Sequence, residues 1–195
     1  MKAIVFTDFD GTLSHKDSFF LFLKYYFGKR KLFIGILSNI SVIILYKIKL
    51  LSNEKAKQKI FKYFFQGEKF EIFTQKADYF AEFLLPTILK PAAIQVMREH
   101  IRLGREVVVV TASFENYLQK WCKKEGFSLI ATKIEVQNET LTGNFASANC
   151  YGIEKVRRIK EIFDLSSFSL IYAYGDTKGD KPMLSLAHYA YYKPF

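Results

Sequence analysis

Ala3-Ile4-Val5-Phe6-Thr7-Asp8-Phe9-Asp10-Gly11-Thr12-Leu13 is the stretch on which the reading of this chain turns. A short β-prone run that stops at acid-X-acid-Gly-Thr reads as a buried parallel strand carrying two carboxylates to its C-terminal edge. Side chains alternate along a strand, so Asp8 and Asp10 project to one side while Phe9 turns into the core. That edge is where open α/β sheets place their ligands. Two carboxylates so close repel each other unless a cation or a shared proton lies between them. Asp, Gly and Thr are also ordinary turn residues, but an acid pair at a strand end points more strongly to chemistry.

The totals bound the answer. A chain of 195 residues holds one good core and a modest insertion. Half of the residues are hydrophobic and 17% are aromatic, which excludes a disordered chain. The net charge of +10 favours anionic partners: phosphate esters, acidic membrane surfaces or nucleic acid. Cys122 and Cys150 form no metal-like or redox pair, which argues for a reducing compartment and against structural zinc. Met1-Lys2 runs straight into the first strand, so no cleavable signal is expected and the expected location is the cytoplasm.

Working outward, residues 14–90 have a character of their own, helical throughout and rich in Phe, Tyr, Ile, Leu and Lys. Asp17-Ser18 can cap a helix over Phe19–Phe27 that Gly28 closes. Leu32–Tyr46 then carries no charge and is flanked by Lys29, Arg30, Lys31, Lys47 and Lys49. Fifteen helical residues span about 22 Å, short of the ~30 Å hydrocarbon layer. We expect this helix to be buried within a small helical domain. The alternative is a monotopic element lying in a membrane surface, its Lys and Arg reaching lipid phosphates. Residues 14–90 hold fourteen Lys and Arg against six Asp and Glu, so most of the excess charge sits there. Further helices are expected over Asn53–Phe65 and Glu68–Leu84, and Pro86 and Pro91 mark the return to the main domain.

Beyond Pro91 strands and helices alternate. A helix to Leu103 precedes the β-branched run Glu106–Thr111, a helix over Phe114–Glu125 and a strand over Leu129–Thr132. A small hairpin flanks Asn138-Glu139, Ile153–Phe163 is helical, and Leu170–Tyr174 is a strand ending in Gly175-Asp176. A helix over Lys181–Ala187 and a strand over Tyr189–Tyr192 follow. This alternation predicts an α/β fold with a doubly wound parallel sheet.

Three buried strands thus end in polar residues: Asp8 and Asp10, Thr111 and Ser113, and Asp176 with Asp180 one turn later. Parallel strands bring these ends to one edge, and Lys155 opens the helix before the last of them. The acids suit a hard cation with oxygen ligands, Mg²⁺. The threonine, the lysine and helix N-terminal amides suit a phosphoryl group. Carboxylates alone would repel a phosphate dianion, and a metal reverses the local sign. The pattern therefore favours metal-assisted phosphoryl transfer over glycoside hydrolysis, whose carboxylate pair needs neither cation nor lysine.

Asp8-Phe9-Asp10-Gly11-Thr12-Leu13, Val110-Thr111-Ala112-Ser113, Lys155 and Gly175-Asp176-Thr177-Lys178-Gly179-Asp180 resemble the four ordered motifs of the haloacid dehalogenase superfamily. The insertion resembles its helical type-1 cap, and Asn149–Lys155 with the preceding hairpin resembles subfamily IB, which includes phosphoserine phosphatase-like enzymes. The resemblance implies a Rossmann-like catalytic core over 1–13 and 91–195 and a helical cap over 14–90. It implies Asp8 as nucleophile, forming an aspartyl-phosphate, and Asp10 as general acid and base. Mg²⁺ would be bound by Asp8, Asp10 through its carbonyl, and Asp176, with Asp180 orienting waters. Thr111, Ala112 and Lys155 would hold the phosphoryl oxygens. Three positions depart from the phosphoserine phosphatase pattern: Tyr151 stands where those enzymes often carry the lysine, Gly179 where they usually have Asn, and Ser113 where they tend to carry Gly. Asp17 and Ser113 are candidate substrate contacts, with a helix-capping role for Asp17 and a structural role for Ser113 as the competing accounts.

The apolar, lysine-flanked Leu32–Tyr46 resembles the cap of bacterial phosphatidylglycerophosphatases. The expected substrate is therefore a lipid phosphate or other bulky phosphomonoester, met at a membrane surface if the monotopic alternative holds. A small soluble phosphomonoester such as phosphoserine ranks second. A basic membrane-binding module on an inactive scaffold is the reading from another class, opposed by the intact Asp8, Asp10, Thr111 and Asp176. Nucleic acid is not expected, since no stacking motif with basic interleaving occurs.

Overall fold

The computed structural model describes residues 2–195; Met1, where the first core segment is expected to begin, lies outside the described residues. In chain order β1 (Ala3–Thr7) is followed by α1 (Ser18–Ser38), α2 (Ile40–Lys47), α3 (Asn53–Phe65) and α4 (Phe70–Tyr79). The chain continues through a π-helical turn (Phe80–Leu84) and a 3-10 turn (Leu85–Ile88) into α5 (Pro91–Arg102). Then come β2 (Glu106–Phe114), α6 (Glu115–Glu125), β3 (Ser128–Thr132) and the hairpin β4 (Ile134–Gln137) and β5 (Thr140–Phe145). The last elements are α7 (Ile153–Ile162), β6 (Leu170–Gly175), α8 (Lys181–Leu184) and β7 (Tyr189–Tyr192).

Five strands form one parallel sheet in the order β3-β2-β1-β6-β7. The central β1 pairs with β2 on one side and β6 on the other, Val5 facing Val107 and Tyr172. The chain winds outward from β1 in both directions, which makes the carboxyl end of β1 a topological switch point. Burial on both faces explains the unbroken apolar runs. Ile4, Phe6, Val108, Val110, Ile171 and Ala173 face one layer with Ile159 of α7 and Met183 of α8. Val5, Val107, Val109 and Tyr174 face the other, with Met97 of α5 and Leu118 of α6.

That second layer does not end at the sheet's own helices. Phe22 of α1 lies 5.0 Å from the ring of Tyr117 in α6, 5.2 Å from Phe80, 5.5 Å from Phe73 of α4 and 5.9 Å from Phe65 of α3. Each such contact adds about 0.5–1.5 kcal/mol beyond area burial. Helices α1, α3 and α4 and the sheet therefore share one apolar interior.

The expected buried helix over Leu32–Tyr46 is corrected on two counts. It is broken at Asn39, whose backbone leaves helical geometry (φ −106°, ψ 17°) and whose side-chain amide donates to the Gly35 carbonyl at 2.9 Å. A side chain that bonds the backbone locally competes with the helical ladder, and here it divides the segment between α1 and α2. Nor is it buried: α2 has no buried residue, and Phe33, Ile34, Leu37, Ile40 and Ile44 stand exposed. Only Gly35 and Asn39 of this segment turn fully inward. Gly28, expected to close the first helix, instead kinks α1 (φ 77°), and the helix resumes beyond it.

Candidate active site

At the carboxyl edge of the sheet Asp8 leaves β1 and Asp176 leaves β6, with Asp180 one turn later. One oxygen from each of Asp8, Asp176 and Asp180 lies within 4.8 Å of the others. The close approach depends on Gly11, which turns at φ 83°; a Cβ there would sit 2.3 Å from Asp176 Oδ2. Thr12 Oγ1 donates to Asp176 Oδ1 at 3.0 Å and fixes its rotamer.

Lys155, on the first turn of α7, is fully buried between two of these acids, its Nζ 2.6 Å from Asp8 Oδ1 and 2.6 Å from Asp180 Oδ1. Burial works against its charge, but Asp8 and Asp180 outweigh that and hold its pKa above the ordinary lysine value. Burial pushes Asp8 up to about 7 against the pull of Lys155. Asp180 is raised by burial and lowered more by Lys155 and by Thr177, whose amide and hydroxyl donate to Oδ2 at 2.9 and 2.7 Å. Asp180 is thus occupied by donors on both oxygens, whereas Asp8 Oδ2 has no hydrogen-bond partner among the described residues.

Asp10 belongs to a different network. Its carboxylate accepts from the Ser18 amide (2.7 Å), the Ser18 hydroxyl (3.1 Å) and the Ser113 hydroxyl, and the two hydroxyls lie 3.0 Å apart. Burial raises its pKa to about 6, with Asp17 adding to the rise and the serines opposing it. Ser113 is therefore placed where it orients Asp10. The Ser113 amide in turn donates to Thr111 Oγ1 at 3.1 Å. Asp17 caps α1, accepting from the Phe20 amide at 3.0 Å, which realises the capping account of that residue.

Asp8, Asp10, Asp17, Thr111, Ala112, Ser113, Lys155 and Asp180 all line one cavity of about 430 Å³, while the partly buried Asp176 packs against Gly11 and Thr12. The opposite wall comes from the inserted helices: Phe19 and Phe20 of α1, Ile43, Tyr46 and Lys47 of α2, and Lys57 and Ile60 of α3. Lys57 escaped sequence reasoning, because Lys55, Lys57 and Lys59 alternate within two turns with nothing to single one out. Its Nζ donates to the Ala112 carbonyl at 2.5 Å and sits 4.6 Å from the Phe114 ring centroid. Burial lowers its pKa, with Asp17 and Asp10 opposing. Its acceptor is a neutral carbonyl, so its charge is left to the cavity.

Two of the departures noted in sequence prove to be a single feature. A Cβ on Gly179 would lie 2.2 Å from the Tyr151 ring, so the tyrosine occupies the space that any side chain at 179 would need. Lys155, one turn after Tyr151, supplies the ammonium to Asp8.

The donor set fits a hard divalent cation: three carboxylates from two strand ends, gathered around a glycine turn, with one lysine against them. A family model described as haloacid dehalogenase-like hydrolase matches residues 5–185. Protein CicA of Caulobacter vibrioides is 34% identical over 194 residues, covering 98% of this chain and 86% of that protein. A protein of unknown function from Bordetella pertussis Tohama I has a similar crystal structure, with a TM-score of 0.82 at 21% identity over 96% of this chain and 87% of the other. A phosphoserine phosphatase solved as a phospho-aspartyl intermediate analogue superposes with a TM-score of 0.67 at 18% identity, over 95% and 83% of the two chains. At these identities the two structural matches establish the fold.

Proposed function

The chain belongs to the haloacid dehalogenase-like hydrolase family, and from that premise we propose that it is a phosphomonoester phosphatase working through an aspartyl-phosphate. The observation that carries this reading is the separation of Asp8 and Asp10, two residues apart, into unlike networks: one among carboxylates and a lysine, the other among hydroxyls. One is poised as a nucleophile and the other as a proton carrier.

Asp8 attacks phosphorus through a carboxylate oxygen. The bond to the leaving oxygen breaks as Asp10 gives that oxygen its proton, which frees the alcohol. Water then attacks the same phosphorus, Asp10 takes its proton, and the phosphorus–Asp8 bond breaks to release inorganic phosphate. Lys155 and Thr111 offset the charge on the phosphoryl oxygens, the Ala112 segment cradles them, and Ser18 and Ser113 hold Asp10 in position. Asp8, the Asp10 carbonyl and Asp176 would hold Mg²⁺, with Asp180 orienting its waters, and the ion would supply positive charge that lets a phosphate dianion approach the carboxylates.

The leaving group lies against Phe19, Phe20, Ile43 and Ile60, and this apolar wall supports a lipid phosphate or other bulky phosphomonoester at a membrane surface. A small zwitterionic ester such as phosphoserine is the second reading, favoured by Asp17 and Lys57 lining the same cavity with opposite charges. The test is Mg²⁺-dependent phosphate release from a panel of phosphoserine, p-nitrophenyl phosphate and phosphatidylglycerophosphate in detergent. Turnover lost in Asp8→Asn supports the mechanism; turnover unchanged in that variant refutes the nucleophile.

A further inference from the structure

The elbow over residues 29–50 presents an apolar face that nothing among the described residues covers. Phe33, Leu37, Ile40, Ile44, Ile48 and Leu50 are each between 48% and 74% exposed. Single exposed leucines need no explanation, but a contiguous run of large apolar side chains on adjoining helices does. Along this stretch of chain the charges have one sign. From Ser18 to Asn53 the chain carries Lys24, Lys29, Arg30, Lys31, Lys47 and Lys49 and no acidic residue.

We propose that this elbow docks on an anionic lipid surface, its apolar side chains entering the acyl boundary and its lysines and arginine meeting lipid phosphates. Charge complementarity selects this occupant. A second copy docking elbow to elbow would bring six cations against six, with no acid within residues 18–53 of either chain to answer them. A nucleic acid would answer the charges but not the phenylalanine, leucines and isoleucines. Among the described residues no helix is long and apolar enough to cross a membrane, so the elbow lies in the surface. The break at Asn39 divides the apolar segment between α1 and α2.

The docked face also adjoins the catalytic cavity. Ile43, Tyr46 and Lys47 of α2 line that cavity, while Ile40 and Ile44 of the same helix face outward. One helix is thus both cavity wall and membrane contact. The consequence for substrate, a phosphate presented from the headgroup layer, rests on the phosphatase reading; the docking does not.

The test is flotation of the full chain, carrying Asp8→Asn, with vesicles of phosphatidylcholine alone or with about 30% phosphatidylglycerol. Binding to the anionic vesicles that weakens between about 0.1 M and 0.5 M salt is expected. Phe33→Gln/Leu37→Gln/Ile44→Gln, all at exposed positions, is expected to lower partitioning at least about tenfold with an unchanged circular dichroism spectrum. In Phe33→Trp the added emission should move to the blue on binding. Absence of flotation with anionic vesicles, or flotation indifferent to the triple substitution, overturns the proposal. A concentration-dependent dimer in sedimentation that the triple substitution abolishes, without vesicle binding, assigns the face to a second copy instead. Phosphate release from soluble p-nitrophenyl phosphate by the unsubstituted chain separates the two readings: its loss leaves docking intact, and failed flotation leaves the chemistry intact.

Discussion

Lys155→Met removes one charge from the most buried part of the site while keeping a side chain of similar length. The ammonium is shared by Asp8 and Asp180 at 2.6 Å each, with side-chain exposures of 2%, 10% and 2% for the three residues. Taking away the cation leaves two carboxylates in a dry site facing each other, and breaking a buried pair in this way costs roughly 3–5 kcal/mol. Over a urea slope of about 2 kcal/mol per M, the low end moves the unfolding midpoint down by about 1.5 M. The assay is equilibrium unfolding followed by Trp121, which is buried with its ring centroid 5.4 Å from that of Phe9 beside the motif. Added Mg²⁺ should stabilise the variant more than the unsubstituted chain, because a cation among Asp8, Asp176 and Asp180 replaces part of the missing charge. A loss under about 1 kcal/mol, or equal stabilisation by Mg²⁺ in both proteins, would show that Lys155 is not the counter-charge described here.

The other expectations bear on separate parts of the molecule. Arg105 Nη1 can only donate to His100 Nδ1 (3.0 Å), so Nε2 carries the proton and donates to Tyr174 Oη at 2.9 Å. Burial, aided by Arg105, depresses the His100 pKa to about 4, so the unfolded chain takes up this proton first; stability present above pH ~6.5 is lost as pH falls towards 4, by up to about 3 kcal/mol. Urea midpoints measured across that window should lose this slope in His100→Gln. Ser113→Ala should lower kcat about 10- to 100-fold with little change in KM, because it frees the Asp10 carboxylate without touching the phosphoryl pocket. In Gly11→Ala a left-handed backbone and a clash with Asp176 should weaken Mg²⁺ binding at least about tenfold by calorimetry. Lys57→Met should raise KM about tenfold for esters whose alcohol carries a second anion, and leave p-nitrophenyl phosphate unaffected.

The sheet and the acid cluster were legible in sequence because two-sided burial and strand-end chemistry leave local marks. Val107 to Val110 could hardly be anything but a central strand, and Asp8 directly follows its neighbour β1, with Asp10 two residues further on. What stayed hidden depended on contacts between distant segments. The hydropathy of Leu32–Tyr46 says that the side chains are apolar, not that anything covers them, and one Asn sufficed to break the helix. Lys57 reaches Ala112 across 55 positions, and the pairing of Tyr151 with Gly179 explains two oddities that look unrelated along the chain.

The aromatic interior common to the inserted helices and the sheet makes the two inseparable as folding units. Phe22 and Phe80 rest on Tyr117, and Phe61 rests on Phe114 at 4.8 Å, so excising residues 14–90 would open one flank of the sheet to water. Heat or denaturant should melt both in one cooperative transition. Over evolutionary time the same arrangement leaves α2, with no buried residue, free to vary its chemistry cheaply. Exchanging the whole insertion would mean rebuilding a core.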